Sequence, residues 1–170
     1  VNHFDPTYVH GILQGARSHP SLSNITITCD SGTILGGTIL GEDIGEGLCQ
    51  LLQETTVLKS LIVDGPRLEP ACVTLLAQGL ADNHSVQVLR VRNGNEEILQ
   101  SVVVNQSIQE LRLEWLIIED TRRRAATHAL CQVFQQNRTL TKLSLSGVNL
   151  RTGALMESLQ GLPGNNTLKS

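Results

Sequence analysis

The 170 residues carry a formal net charge of −3, with 40% hydrophobic, 17% charged and 2% aromatic content. An acidic balance argues against nucleic acid or a membrane surface as partner, since both call for a basic stripe, and the hydrophobic share argues against disorder. No apolar run approaches the roughly 18 residues of a membrane helix, so no membrane insertion is expected, and no signal-peptide core opens the chain.

So few aromatic residues leave the core to Leu, Ile, Val, Ala and Cys, which favours many small, similar layers. Taken in chain order, the elements repeat one design. Residues 1–21 read as a first half-repeat, a helix with Pro6 in its first turn, where a missing N–H costs nothing, and Ile12, Leu13 and Ala16 on one stripe. A strand follows, Leu22-x-x-Ile25-x-Ile27, and then a Gly-rich stretch from Gly32 to Gly41. The same aliphatic frame returns at Leu58, Leu61, Val63, at Val86, Leu89, Val91, at Ile108, Leu111, Leu113 and at Leu140, Leu143, Leu145, and Leu168 opens another copy. Starts near 22, 58, 86, 108, 140 and 168 are spaced by 36, 28, 22, 32 and 28 residues, a soft period near 28.

Eight residues before each start stands glutamine, at Gln14, Gln50, Gln78, Gln100, Gln132 and Gln160. Around it, apolar residues recur at ten, nine and six before the start: Leu48, Cys49, Leu52; Leu76, Ala77, Leu80; Ile98, Leu99, Val102; Leu130, Cys131, Phe134. Positions i, i+1 and i+4 share one helical stripe. Each unit therefore reads as a short strand, a loop and an amphipathic helix that returns the chain to the next strand. Pro70 after Glu69 marks another helix start.

Five Asn-x-Ser/Thr triplets begin at Asn24, Asn83, Asn105, Asn137 and Asn165. Ten Asn and 26 Ser plus Thr in 170 residues would give about 1.5 by composition, and four of the five fall at the same junction between helix and strand. Architecture explains that better than glycosylation: Asn at a helix end is expected to adopt the left-handed conformation that terminates it.

Enzyme signatures are not found. The five histidines show no metal-ligand spacing, Cys49 and Cys131 occupy a core slot that Leu fills elsewhere, and Cys29 and Cys72 have no Cys-x-x-Cys partner. The glycines at Gly36-Gly37 and from Gly41 to Gly47 lack the Lys-Ser/Thr of a phosphate loop and are expected to form an irregular loop. No cofactor or metal is expected, and unpaired cysteines point to a reducing, cytoplasmic compartment.

These Leu-x-x-Leu-x-Leu strands alternating with helices resemble the leucine-rich repeat family, in its ribonuclease-inhibitor-like class. The resemblance implies an α/β solenoid, a horseshoe with a parallel sheet on the concave side and helices on the convex side, and one such domain over residues 1–170, a fragment of a larger protein. The chain departs from the family by placing Asp30, Pro66, Gly94, Leu116 and Val148 where Asn or Cys often stands after the strand.

In that fold equivalent strand residues lie side by side. The outward columns are Asn24, Ser60, Val88, Glu110, Lys142, then Thr26, Ile62, Arg90, Arg112, Ser144, then Thr28, Asp64, Arg92, Glu114, Ser146. Charge gathers in the middle units. Arg90 and Arg112, like charges on adjacent strands, suggest a patch awaiting an acidic partner, whereas Asp64, Arg92 and Glu114 alternate in sign as a structural ladder would. Glu110 and Lys142 complete the candidate face. Trp115, where other units place Gly65, Asn93 and Gly147, reads as a core plug or a rim anchor. Arg122, Arg123 and Arg124 open a helix, where the dipole disfavours cations, as a solvated run or a rim contact.

The expected function is a non-catalytic scaffold that binds another protein, of unknown identity and oligomeric state, through the concave face and rim. Relatives by resemblance include intracellular immune receptors, actin-filament regulators, ribonuclease inhibitor and bacterial effectors. GTPase-activating proteins of this fold supply an alternative, in which an arginine assists nucleotide hydrolysis. A secreted, glycosylated receptor is a further alternative.

Overall fold

The two periodicities in the sequence, two in the strands and 3.6 in the helices, become two layers. A computed structural model describes residues 6–28, 39–65, 67–114, 122–147 and 152–169, with backbone alone at 6–7 and 152–155. In order they form α1 (Pro6–Arg17), β1 (Asn24–Thr28), β2 (Ile39–Leu40), α2 (Glu42–Glu54), β3 (Ser60–Asp64), β4 (Arg67–Leu68), α3 (Pro70–Asp82), β5 (Val88–Arg92), α4 (Glu96–Val104), β6 (Glu110–Glu114), α5 (Arg123–Gln136), β7 (Lys142–Ser146) and α6 (Thr152–Leu159), ending in a 3-10 turn at Leu162–Gly164.

Five strands make one parallel sheet in the order β1-β3-β5-β6-β7. Parallel neighbours require crossovers, and the helices supply them, packing in the same sequence from α1 to α6. The register aligns Asn24 with Ser60, Ser60 with Val88, Val88 with Glu110 and Glu110 with Lys142. The outward columns read from the sequence are therefore the observed ones. Inward residues such as Leu61, Val63, Leu89, Val91, Leu111 and Leu113 are buried against Leu48, Leu52, Leu76, Leu80, Ile98, Val102 and Leu130 from the helices. A leucine so enclosed stabilises by roughly 1.5–3 kcal/mol. Ile12 departs from its expected core stripe: α1 ends the row of helices, and Ile12 and Tyr8 are 64% and 73% exposed.

A second, two-stranded parallel sheet, β2 with β4, was not foreseen; Glu69 N–H donates to the Leu40 carbonyl beside it. The stretch Gly41 to Gly47 is also not a loop. Gly41 caps α2, and Gly45 and Gly47 lie buried within it. A Cβ on Gly45 would stand 2.7 Å from Cys72 Cα, and one on Gly79 would stand 2.8 Å from Cys49 Cα. The two helices thus approach reciprocally, each glycine against the other helix's cysteine. The later pair repeats the relation, with Gly161 against the Cys131 carbonyl at 2.8 Å. Gly79→Ala is expected to cost about 1–3 kcal/mol by forcing α2 and α3 apart, and a denaturant midpoint unchanged from the parent would show that the backbones can yield.

The helix-to-strand junctions correct the sequence reading most sharply. Asn83, Asn105, Asn137 and Asn165 have φ between −67° and −93° with extended ψ, so they do not need the left-handed region. That conformation occurs instead after the strands, at Gly65, Asn93 and Gly147, with φ of 106°, 60° and 66°.

What the junction asparagines do is hydrogen-bond in two directions. Asn105 Oδ1 accepts from the Ser107 and Ile108 amides at 2.9 and 2.8 Å, while its Nδ2 donates to the Leu80 and Asn83 carbonyls at 2.7 and 2.8 Å. Asn83 spans from Ser85 and Val86 to Leu52, Asn137 from Thr139 and Leu140 to Val102 and Asn105, and Asn165 from Thr167 and Leu168 to Phe134 and Asn137. The first two junctions show why Asn is chosen. Thr55 Oγ1 accepts from the Leu58 amide and His19 Nδ1 from the Ser21 amide, and neither side chain reaches back to the preceding unit. Asn83, Asn105 and Asn137 are buried, and the nitrogens a sugar would occupy are the ones donating to buried carbonyls. Glycosylation there would require breaking the ladder.

Candidate functional site

Each strand of the sheet turns every second residue away from the helices, and there the described charges converge. At its centre Glu114, at the end of β6, has a side chain only 7% exposed. Arg92 donates to it through Nη2 at 2.9 Å, Arg90 Nη2 lies 3.1 Å from its Oε1, and Arg112 Nε 2.6 Å from the same oxygen. Asp64 closes the ring, 3.0 Å from both Arg90 and Arg92. The carboxyl of Glu114 is held below its ordinary range, first by the Arg92 hydrogen bond and then by the charges of Arg90, Arg112 and Arg92, against the opposing effect of burial.

This geometry changes the meaning of the arginine pair. Arg90 and Arg112 are register partners as expected, yet they do not await an outside anion to relieve their repulsion, because Glu114 lies between them. Arg90 and Arg92 are each tied to two carboxylates. Arg112 meets Glu114 through Nε on a side chain that is 54% exposed, with Glu114 its one ion-pair partner among the described residues. Beside it, Lys142 Nζ contacts Glu110 at 2.6 Å across the β6–β7 pair.

The rim residues divide. Trp115 lies outside the described residues, as do Asp30, Pro66, Leu116, Val148 and Cys29. Arg122 is exposed but also ion-paired: its Nη1 lies 2.9 Å from Glu96 and 3.1 Å from Glu97, and the Glu96 hydrogen bond raises its pKa first. Arg122 thus ties the start of α5 to the acidic first turn of α4, where those carboxylates also suit the helix dipole. Arg123 begins α5, and Arg124 is exposed on it.

Residues not singled out from the sequence complete the face. A shallow depression of about 400 Å³ has Ile62 and Val88 at one side, Arg90, Arg112 and Ser144 across it, and Lys142 and Lys169 at the other. Ile62 and Val88 were legible as aliphatics standing in outward columns. Lys169 was legible from Leu168 opening another copy, and its amide continues the ladder onto the Thr141 carbonyl.

Among the described residues no group of three or more His, Cys, Asp or Glu could hold a metal ion. Burial pushes the Cys72 thiol up to about 12, with Glu69 adding to it, and burial also raises Cys49. Neither thiol is poised as a thiolate nucleophile. No described helix is long and apolar enough to cross a membrane.

No family model matches the chain. Mouse Protein NLRC5 is 33% identical over 86 residues, which is 51% of this chain and 4% of that protein, so the chain spans a small part of the curated relative's length. Among solved structures, leiomodin-1 actin-binding site 2 superposes with a TM-score of 0.65 at 16% identity, covering 93% of this chain and 87% of that one. The Caenorhabditis elegans tropomodulin C-terminal domain gives 0.65 at 14% identity, covering 92% of each. At such identities the likeness is one of fold: an α/β architecture with a parallel sheet backed by helices.

Proposed function

We propose that the chain is a non-catalytic protein-interaction module, a leucine-rich repeat solenoid that binds a partner protein in the cytoplasm through the open face of its parallel sheet. The observation carrying this reading is the face itself: outward side chains on a rigid, register-locked lattice, with a prearranged charge cluster beside two half-buried aliphatics. A preformed surface loses little ordering entropy on binding, which favours affinity. The leiomodin-1 neighbour is named as an actin-binding site, which supports protein binding as a use of this scaffold and makes purified actin a defined first probe. The GTPase-regulator reading draws no support from Arg90 or Arg92, which are each committed to two carboxylates.

Partner capture from lysate, alongside cosedimentation with actin, tests the face. The unmodified chain is compared with Arg112→Glu and with Gln78→Glu on the exposed side of α3, each checked by circular dichroism. A sheet-face interface predicts at least tenfold weaker retention for Arg112→Glu, about 1.4 kcal/mol or more, and normal retention for Gln78→Glu. Equal retention by all three, or loss confined to Gln78→Glu, refutes it.

A further inference from the structure

Resting on the sheet-face reading, we infer that the depression takes an acidic peptide segment that also carries an aliphatic side chain. Charge complementarity is the first argument. The cluster's three arginines with Lys142 and Lys169 are five cations, and Asp64, Glu110 and Glu114 are three carboxylates, a local net of +2 on a chain whose total is −3. The second is availability. Arg112 is half exposed with a single carboxylate partner, and the Lys169 ammonium has none among the described residues, so these two cations are the ones placed to meet an incoming carboxylate. The third is the apolar side, since Ile62 and Val88 lie half-buried in outward positions where a hydroxyl or charge stands on most strands.

Strand spacing sets the size of the segment. Ile62 on β3 is two strands from Arg112 on β6, and Lys169 follows β7, two steps further on. Two steps are about 10 Å, the reach of about three extended residues. An aliphatic followed at intervals of about three residues by carboxylates therefore fits a peptide crossing the strands. A nucleic-acid strand is disfavoured: the described outward strand residues include no aromatic to stack on, and the three carboxylates oppose a phosphate chain.

Selection from a random heptapeptide display library on the intact chain tests this, followed by fluorescence anisotropy with the labelled winning peptides. The expected winners join Asp or Glu to Leu, Ile or Val. Their affinity falls at least tenfold on Arg112→Glu/Lys169→Glu, and at least threefold on Ile62→Ser, with folding confirmed by circular dichroism. Acidic peptides indifferent to the double charge reversal, an empty selection, or a labelled single-stranded ten-mer binding equally well through Arg112 would overturn it. Neutral winners sensitive to Ile62→Ser would leave the sheet face as the interface and remove only the acidic class. Winners indifferent to every sheet-face variant would remove both.

Discussion

Asn105→Ala is expected to cost about 2–4 kcal/mol, a loss matched among the described residues by the equivalent Asn137. The side chain donates two bonds and accepts three, the third from the Ser107 hydroxyl. Alanine would strand the Ser107 and Ile108 amides at once, while leaving the Leu80 carbonyl to the Asn83 amide alone and the Asn83 carbonyl to the Ser107 hydroxyl alone. Each unpaired buried group costs roughly 1–3 kcal/mol, and partial entry of water into the vacated space limits the sum. A domain of this size has only about 5–15 kcal/mol in total, so thermal or urea unfolding should reveal the change clearly. Asn105→Gly separates the two explanations for the residue. With φ at −67° glycine gains nothing there and should be as damaging as alanine, whereas a left-handed cap would welcome it. Asn105→Asp adds a pH signature. An aspartate keeps the acceptor for Ser107 and Ile108 but turns a second oxygen toward the Leu80 and Asn83 carbonyls. Its folded pKa should therefore rise, so the variant should regain stability as pH falls and the carboxyl becomes a donor.

The fold was legible because its cause is repeated. Gln14 through Gln160 and the aliphatic frames set the units, and a register slip of one residue would have turned every outward side chain inward, which is why the columns could be written down from sequence. Asn was legible as important but not for the right reason, since a side chain that bonds backward to another unit leaves no local trace; only the contrast with Thr55 and His19 hints at it. The site was half legible. Columns placed Arg90 beside Arg112, but pairwise charge along a column cannot show that Glu114, two residues further along its strand, reaches back between them. The Gly41 to Gly47 stretch failed for a related reason. Glycine propensity suggested a loop, and tertiary packing of Gly45 against Cys72 overrode it.

Glu114→Gln is the second large effect, expected at about 3 kcal/mol, because removing one partner from a buried ion cluster leaves the others uncompensated. Arg90 and Arg92 would then keep only Asp64, and Arg112 would lose its carboxylate partner in the cluster. The value sits at the low end for buried pairs since Arg112 is half exposed and solvent screens it. Proton linkage gives the cluster a second readout. The folded pKa of Glu114 is depressed, so its contribution is present above the unfolded value, near 4.3 for glutamate, and is lost as pH falls below that toward the folded one. The stability gap between parent and Glu114→Gln should be full at pH 7 and shrink progressively in acid because the parent loses stability, whereas the Asn105→Asp gap should shrink because the variant gains it. Arg112→Gln alone should cost no more than about 1 kcal/mol as an exposed partner, and combined with Glu114→Gln it should recover part of the loss by removing one of the uncompensated cations. A gap that stays constant from pH 7 to pH 3 would mean that Glu114 matters for its shape rather than its charge. The arginines would then be held apart by packing, and the exposed side chain of Arg112 would not depend on Glu114 for its position on the binding face.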